Sequence, residues 1–160
     1  LCSWYAHKSG FDTTIARCFS FVGPGLPLNI HYAIGNFIRD ALYAEKITVN
    51  GDGRPMRSFL YLGDLVHWLL ALLVDGGNQK IYNVGSDQAI SILELANLVQ
   101  SQLAPEKKIE VLGQSGYAVG NVSRNWYVPN IDVAKAELKL DVWTSLSDSI
   151  TKTKNKLESP

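Results

Sequence analysis

The sequence has little cysteine, no excess of charge of either sign and no apolar run long enough for a membrane span. Its 160 residues carry 15 basic and 15 acidic side chains, for a formal net charge of zero. A chain without net charge has no bulk field that attracts nucleic acid or an anionic membrane, so any phosphate must be met by local arginines. The longest apolar run, Leu65 to Val74, contains His67 and is about half of a membrane span, which predicts a buried helix.

Cys2 and Cys18 are the only cysteines in the chain. Their spacing fits neither a metal site nor a disulfide framework, so we expect no metal and interpret both as reduced core residues of a cytoplasmic protein. The sequence shows no signal peptide and begins at Leu1 rather than at a methionine. That beginning predicts a fragment of a longer protein.

Apolar residues make up 46% of the chain and aromatic residues 10%, which is enough to bury a core. The predicted strands cover 13–21, 46–51, 57–62, 80–85 and 108–113, and they alternate with predicted helices over 31–45, from 64, from 91, over 131–138 and from 145. This alternation predicts an α/β fold. We expect Asp64 to cap the second helix, whose apolar residues lie around nearly its whole circumference and predict burial on several sides.

One segment, Gly113 to Pro129, follows neither period and reads GQSGYAVGNVSRNWYVP. Loops of this length in compact domains are usually functional or disordered. Because Tyr117, Trp126 and Tyr127 favour order, we interpret the segment as a binding loop.

Five motifs follow one another along the chain: ARCFSFVGPG, GNFIRDAL, ITVNGDGRPMRSFLYLGDLV, YNVG and YVPNIDVAKAEL. Together they resemble the C-terminal half of the extended short-chain dehydrogenases that act on nucleotide sugars, the NAD-dependent epimerase/dehydratase family. Within that family the motifs are most similar to dTDP-glucose 4,6-dehydratases, followed by UDP-glucuronate decarboxylases and sugar 4-epimerases.

The resemblance implies the C-terminal part of an NAD(P)-binding Rossmann-like fold interleaved with a small α/β substrate-binding domain. Residues 1–22 would be the tail of the catalytic helix and a Rossmann strand. Residues 23–160 would form mainly the nucleotide-sugar-binding lobe, with 80–104 returning to the Rossmann sheet. Residues 1–8 resemble the end of the helix that pairs subunits in this family, which implies a homodimer for the full-length protein. In isolation, such a chain would expose apolar surface.

Arg57 follows the GDG turn and precedes a short apolar stretch. In the family this arginine reaches the diphosphate of the nucleotide sugar, and the resemblance implies that role for Arg57. A planar guanidinium can make two parallel, charge-assisted hydrogen bonds to phosphate oxygens. From the residues alone, an exposed arginine that begins an edge strand is the simpler interpretation.

Two further side chains are candidates for the same diphosphate. Asn36 is a poor helix former within an apolar helix, and its neighbour Gly35 would let a ligand approach the backbone. The family's NF asparagine contacts the diphosphate, which implies that role for Asn36, although a bond to a neighbouring loop remains an alternative. The family also has an arginine shortly before its P-D-I helix, a position that either Arg124 or Tyr127 would fill.

The nucleobase would be met by apolar and aromatic side chains. In the family, the strand before GDG contacts the base, so the resemblance implies that Ile47 and Val49 line the base pocket. Tyr127 and Trp126 either stack on a base or sugar or pack the loop against the core.

For NAD the sequence offers little. VGPG is not a GxGxxG fingerprint, and the resemblance places Ser20, where the family usually has asparagine, and Gly23 near the nicotinamide and sugar. Tyr5 and Lys8 are one residue too close for the family's Y-x-x-x-K pair. We interpret His67 as a packing residue of a core helix. The resemblance implies that the NAD loop and the Y-x-x-x-K pair lie upstream of this chain.

The parent protein is therefore expected to oxidise a sugar C4 hydroxyl with NAD, eliminate water across C5 and C6, and return the hydride to C6. This chain would anchor the nucleotide diphosphate sugar and would have no activity by itself. Decarboxylation of UDP-glucuronate and 4-epimerisation are the alternatives within the family. A non-catalytic nucleotide-sugar sensor or scaffold, or a plain interaction domain, is the alternative from another class.

Overall fold

The computed structural model describes residues 2–30, 32–113 and 125–158 as helices and short strands. The helices are α1 (Cys2–Ser9), α2 (Ala33–Tyr43), α3 (Leu62–Asp75), α4 (Ile92–Leu103), α5 (Asp132–Leu138) and α6 (Leu146–Glu158). The strands are β1 (Thr14–Cys18), β2 (Phe21–Val22), β3 (Lys46–Val49), β4 (Met56–Arg57), β5 (Leu60–Tyr61), β6 (Lys80–Val84), β7 (Ile90–Ser91), β8 (Lys108–Val111) and β9 (Trp126–Tyr127). The predicted α/β class is confirmed.

Strands that are distant in sequence are joined mostly by parallel pairing. β1 pairs with β6, β2 with β5, and β3 with β8, all in parallel. β4 lies between β7, which is antiparallel to it, and β9, which is parallel. The sequence predicts one strand over 57–62, but the structure has two. Arg57 belongs to β4, and Leu60 and Tyr61 belong to β5, which lies in a different sheet.

The buried apolar side chains form two cores. The first contains Ile34, Phe37, Ile38, Ala41, Ile47, Val49, Leu95, Ala96, Val99 and Ile150, among others. The second contains Leu60, Trp68, Leu72, Tyr82, Val84, Ile131, Ala134 and Leu140. Residues 80–104 were expected to return to the Rossmann sheet. Of these residues, β6 pairs with β1, whereas helix α4 packs in the first core.

Helix α2 is fixed at its C-terminal end by two polar contacts. The Nζ atom of Lys107 donates to the carbonyl oxygens of Asp40 (3.3 Å) and Ala41 (2.6 Å), which places a cation where the helix dipole is negative. The Oδ2 atom of Asp40 accepts a hydrogen bond from the backbone N–H of Thr48 at 3.2 Å. The Asp40–Thr48 bond joins α2 to β3, and the Lys107 bonds join α2 to the turn before β8. Both α2 and β3 line the candidate site.

Asp64 does not cap the helix that contains it, so that prediction is wrong. Helix α3 begins at Leu62, which places Asp64 in its first turn. Its buried carboxylate accepts hydrogen bonds from the backbone N–H groups of Trp143 (3.1 Å) and Thr144 (2.9 Å) and from the Thr144 hydroxyl (2.9 Å). Asp64 therefore ties the start of α3 to the segment that leads into α6.

The prediction that α3 is buried on several sides is also wrong. Trp68 and Leu72 are buried, but Leu73 is 80% and Val74 76% exposed, and Val66, Leu69 and Leu70 are exposed as well. The face of α3 that carries Trp68 and Leu72 packs in the second core, where the helix meets β1, β2, β5 and α5. No helix within the described ranges is both long and apolar enough to cross a membrane.

Both cysteines are exposed, so the prediction that they are core residues is wrong. Cys18 ends β1, and among the described residues β1 pairs only with β6, so its other edge is open. Cys2 lies in the first turn of α1.

Helix α4 begins with the predicted capping box between Ser91 and Glu94. Two hydrogen bonds to the Glu94 carboxylate hold the pKa of Glu94 below its ordinary value of 4.5. The bond from the Ser91 hydroxyl has the larger effect, and the bond from the Ser91 backbone N–H has the smaller. A lowered pKa in the folded state adds stability above the ordinary value, and this stability is lost as the pH falls through the lowered one. We therefore expect Glu94→Gln to lower the free energy of unfolding at pH 7 and to have little effect near pH 3.

Urea unfolding of both proteins at the two pH values measures this difference. An equal effect of Glu94→Gln at pH 7 and at pH 3 would show that ionised Glu94 does not contribute through the capping box.

Candidate functional site

The candidate site lies around Arg57, at the centre of the three-stranded sheet. Arg57 is the register partner of Ile90 in β7 and of Tyr127 in β9. The carboxyl end of β1 is adjacent, since Phe19 and Ser20 follow that strand and line the same cavity as Arg57. The crevice at the carboxyl ends of parallel strands is the usual ligand position in α/β folds.

Two cavities meet at Arg57. The larger has a volume of about 400 Å³, and the smaller about 250 Å³. Apart from Arg57 the larger is lined by Phe19, Ser20, Phe21, Gly25, Leu26, Pro27, Tyr32, Ala33, Ile34, Phe59, Leu62 and Ile92. The smaller is lined by Ala33, Asn36, Phe37, Thr48, Asn50, Gly51, Gly53, Pro55 and Ile92 as well as Arg57. Within the described part of the chain, no other lysine or arginine lines either cavity.

The Arg57 side chain is half-buried and held by its neighbours. Its Nη1 atom donates to the carbonyl oxygen of Met56 at 2.7 Å. Its Cζ atom lies 6.0 Å from the centroid of the Tyr127 ring, and that ring packs on Phe19 with centroids 4.8 Å apart. A guanidinium has five N–H donors, and among the described residues the Met56 carbonyl is the acceptor that Arg57 bonds, so its other donors can meet an anion placed between the cavities.

Asn36 faces the smaller cavity but also has a local role. With its amide nitrogen turned toward the preceding loop, Asn36 donates to the carbonyl oxygens of Ile30 (3.1 Å) and Leu28 (3.3 Å). A Cβ atom on Gly35 would lie 2.9 Å from the carbonyl oxygen of Pro27, so the close approach at this glycine is made by the same loop. Asn36 thus combines a position in the cavity wall with the loop contact foreseen as its alternative.

Ile47 and Val49 lie in the first core rather than in a cavity wall, with exposed fractions of 0% and 1%. Side chains alternate across a strand, so Thr48 and then Asn50 face the opposite way, and both line the smaller cavity. The alternation was visible in the sequence, but which set faces the cavity depends on the helices that cover the strand.

The two candidate cofactor contacts are placed differently. Ser20 lines the larger cavity, and its carbonyl oxygen accepts a hydrogen bond from the Leu60 N–H at 3.0 Å. Gly23 is buried, and a Cβ atom there would lie 2.9 Å from the Cβ of Leu62. Arg124 lies outside the described residues.

Two aromatic residues of the larger cavity were not recognised from the sequence as site residues. Phe19 follows β1 and supports Tyr127, and Tyr32 precedes α2 with 57% of its surface exposed. The signal for Tyr32 was its position at the start of a helix that follows a glycine- and proline-rich loop. His67 lies outside both cavities, where its Nδ1 is 3.2 Å from the Gly63 carbonyl oxygen.

Comparison with known proteins identifies relatives of this chain. The sequence profile of the NAD dependent epimerase/dehydratase family matches residues 1–85. Over 153 residues the chain is 31% identical to UDP-glucuronic acid decarboxylase 1 of Xenopus tropicalis, an alignment that covers 96% of this chain and 35% of that protein.

Two solved structures are similar in fold. One is UDP-glucose 4-epimerase of Thermotoga maritima with UDP-glucose, with a TM-score of 0.81, 19% identity, and coverage of 98% of this chain and 49% of that one. The other is dTDP-glucose 4,6-dehydratase of Bacillus anthracis in complex with NAD, with a TM-score of 0.78, 18% identity, and coverage of 97% and 47%. These matches show a Rossmann-like α/β fold.

The chain spans about half the length of the solved structures and about a third of the decarboxylase. The match of the family profile nevertheless covers more than half of the 160 residues. On this basis the chain belongs to the NAD-dependent epimerase/dehydratase family.

Proposed function

We propose that this chain is the nucleotide-sugar-binding portion of an NAD-dependent, dTDP-glucose 4,6-dehydratase-like enzyme. The observation that carries the proposal is the position of Arg57, a half-buried cation between two cavities of about 400 and 250 Å³. In a nucleotide sugar the diphosphate lies between the nucleoside and the sugar, and Arg57 lies between the two cavities. A guanidinium held at that junction can bind two phosphate oxygens at once.

The polarity of the two walls supports an orientation for the ligand. The smaller cavity has hydrogen-bonding side chains at Asn36, Thr48 and Asn50, which suit the nucleoside. The larger cavity lies at the carboxyl end of β1 and has a hydroxyl at Ser20, which suits the sugar. In this orientation the chain would hold the sugar near the nicotinamide, and such positioning supplies much of the rate enhancement in enzymes.

NAD, when bound, would accept the hydride from the sugar C4 and return it to C6 after water is eliminated across C5 and C6. Residues of this chain would contribute little to holding it. Ser20 is the one candidate contact that faces a cavity, and Gly23 is packed against Leu62. The proposal therefore assigns NAD binding mainly to residues outside this chain, which spans about half of the solved relatives.

The main rival within the family is decarboxylation, since the decarboxylase of Xenopus tropicalis is 31% identical over 96% of this chain. The wall of the larger cavity favours a neutral sugar over a uronic acid. Most of the described side chains in this wall are apolar, and Arg57, the one cation among those described, is assigned to the diphosphate. Transfer of a sugar carboxylate into such a wall costs free energy unless a second positive group meets it.

A binding comparison tests this choice. We expect the chain to bind dTDP-glucose or UDP-glucose about tenfold more tightly than UDP-glucuronate, because about 1.4 kcal/mol of uncompensated desolvation gives that ratio. Isothermal titration with the three ligands measures it. Tighter binding of UDP-glucuronate would favour the decarboxylase, and binding of no nucleotide sugar by the folded chain would contradict the proposed site at Arg57.

For the full-length protein we propose a homodimer that pairs through α1. Trp4 and Tyr5 of this helix are 57% and 49% exposed, and their rings meet edge to face with centroids 5.0 Å apart. Exposed aromatic side chains are enriched in protein interfaces, which supports a partner at this helix.

A further inference from the structure

We propose that Tyr127 is a positioning residue that orients Arg57 toward the diphosphate. The inference rests on the proposed function, because it concerns how the same anion site is organised. It differs from the two roles expected from the sequence, which were direct stacking on a base or sugar and packing of the loop.

The backbone places Tyr127 beside Arg57. β4 and β9 are parallel, and Arg57 is the direct register partner of Tyr127. Paired residues of neighbouring strands project from the same face of a sheet, so their side chains are neighbours. Met56 and Trp126 form the preceding pair, and their side chains project from the opposite face.

The Tyr127 ring contacts two groups. It packs on Phe19, with ring centroids 4.8 Å apart and planes inclined at 36°. It also lies near the Arg57 guanidinium, whose Cζ atom is 6.0 Å from the ring centroid. Phe19 is supported in turn by its backbone N–H, which donates to the Val84 carbonyl oxygen at 3.0 Å. The row Phe19–Tyr127–Arg57 therefore extends from the parallel strands to the junction of the two cavities.

This row restricts a flexible side chain before the ligand arrives. An arginine side chain has many accessible rotamers, and part of this freedom is lost when it binds a phosphate. The Tyr127 ring and the Met56 carbonyl oxygen limit the guanidinium to a few orientations. Prior ordering of this kind raises affinity because less freedom is lost on binding.

The test is a titration of the 160-residue chain with dTDP and UDP, followed by NMR. We expect Tyr127→Ala to weaken binding of the diphosphate about five- to tenfold, because it removes the cation–π contact and the restriction of Arg57. Tyr127→Phe retains the ring and should bind within about twofold of the wild type. Trp126→Ala is the matched control, since Trp126 is an exposed aromatic on the other face of β9 (57% exposed, against 46% for Tyr127) and lines neither cavity.

A second readout needs no ligand. In the unliganded chain the Nε–Hε signal of Arg57 should move in Tyr127→Ala and remain in place in Tyr127→Phe and Trp126→Ala. If Arg57→Ala loses binding but Tyr127→Ala keeps the wild-type affinity, the positioning role of Tyr127 is overturned and the proposed function is not. Equal weakening of thymidine and of dTDP by Tyr127→Ala would overturn it as well, because the ring would then contact the base. If the wild type binds neither diphosphate, the proposed function fails and the positioning role fails with it.

Discussion

Arg57→Ala is expected to weaken binding of dTDP or UDP about 100-fold. The guanidinium is the one cation that the described residues offer to either cavity, so its loss leaves the phosphates without a charged partner. Two charge-assisted hydrogen bonds at about 1.5 kcal/mol each give about 3 kcal/mol, which corresponds to roughly two powers of ten in the dissociation constant. Isothermal titration of both proteins with each nucleotide measures the change.

Arg54 provides a matched control for this prediction. It lies in the same turn, three residues before Arg57, with 85% of its side chain exposed and outside both cavity walls. Arg54→Ala should change the dissociation constant less than twofold at moderate ionic strength, because a charge this exposed is screened by salt. Equal effects of the two substitutions would mean that the phosphates are attracted by the general charge of the turn.

Asp64→Ala is expected to lower the free energy of unfolding by about 3 kcal/mol. Asp64 is 6% exposed, and its carboxylate accepts three hydrogen bonds from residues 143–144, two of them from backbone N–H groups. Alanine would leave those donors without a partner in a partly buried position. The nearby bond from Trp68 Nε1 to the Asp141 carbonyl oxygen, at 3.0 Å, would then be the main polar tie between α3 and this segment.

Urea unfolding followed by circular dichroism measures the loss for Asp64→Ala and for Asp64→Asn. The asparagine keeps an acceptor oxygen and should recover at least half of the lost stability. A loss below about 1 kcal/mol for the alanine variant would show that water replaces the carboxylate at the 143–144 backbone.

The elements that the sequence predicted well are those with strong local signals. The apolar spacing in α2 places Ile34, Phe37 and Ile38 in the first core, and the capping box of α4 lies where Ser91 and Glu94 predicted it. The parallel pairing of β1 with β6 has no such local signal, and the expectation that both belong to one sheet came from the family resemblance. Periodicity and capping depend on neighbouring residues, so they can be read from the chain directly.

The predictions that failed concern what covers each element. Helix α3 is apolar all around, yet Leu73 is 80% exposed, because hydrophobic composition does not specify how many sides meet a partner. Likewise, the alternation in β3 separates Ile47 from Thr48 without indicating which of them faces the cavity. The proximity of Arg57 and Tyr127 arises from a parallel pairing of strands 70 residues apart, for which the local sequence contains no signal.

The central claim is that the two cavities at Arg57 form one nucleotide diphosphate site. The most direct measurement is a series of ¹H–¹⁵N NMR spectra of the chain during titration with dTDP and UDP. The account predicts saturable shifts of the backbone amides of Thr48, Gly53 and Arg57, with little change in α5 and α6. Saturable shifts confined to other surfaces, or none in a folded protein, would contradict it.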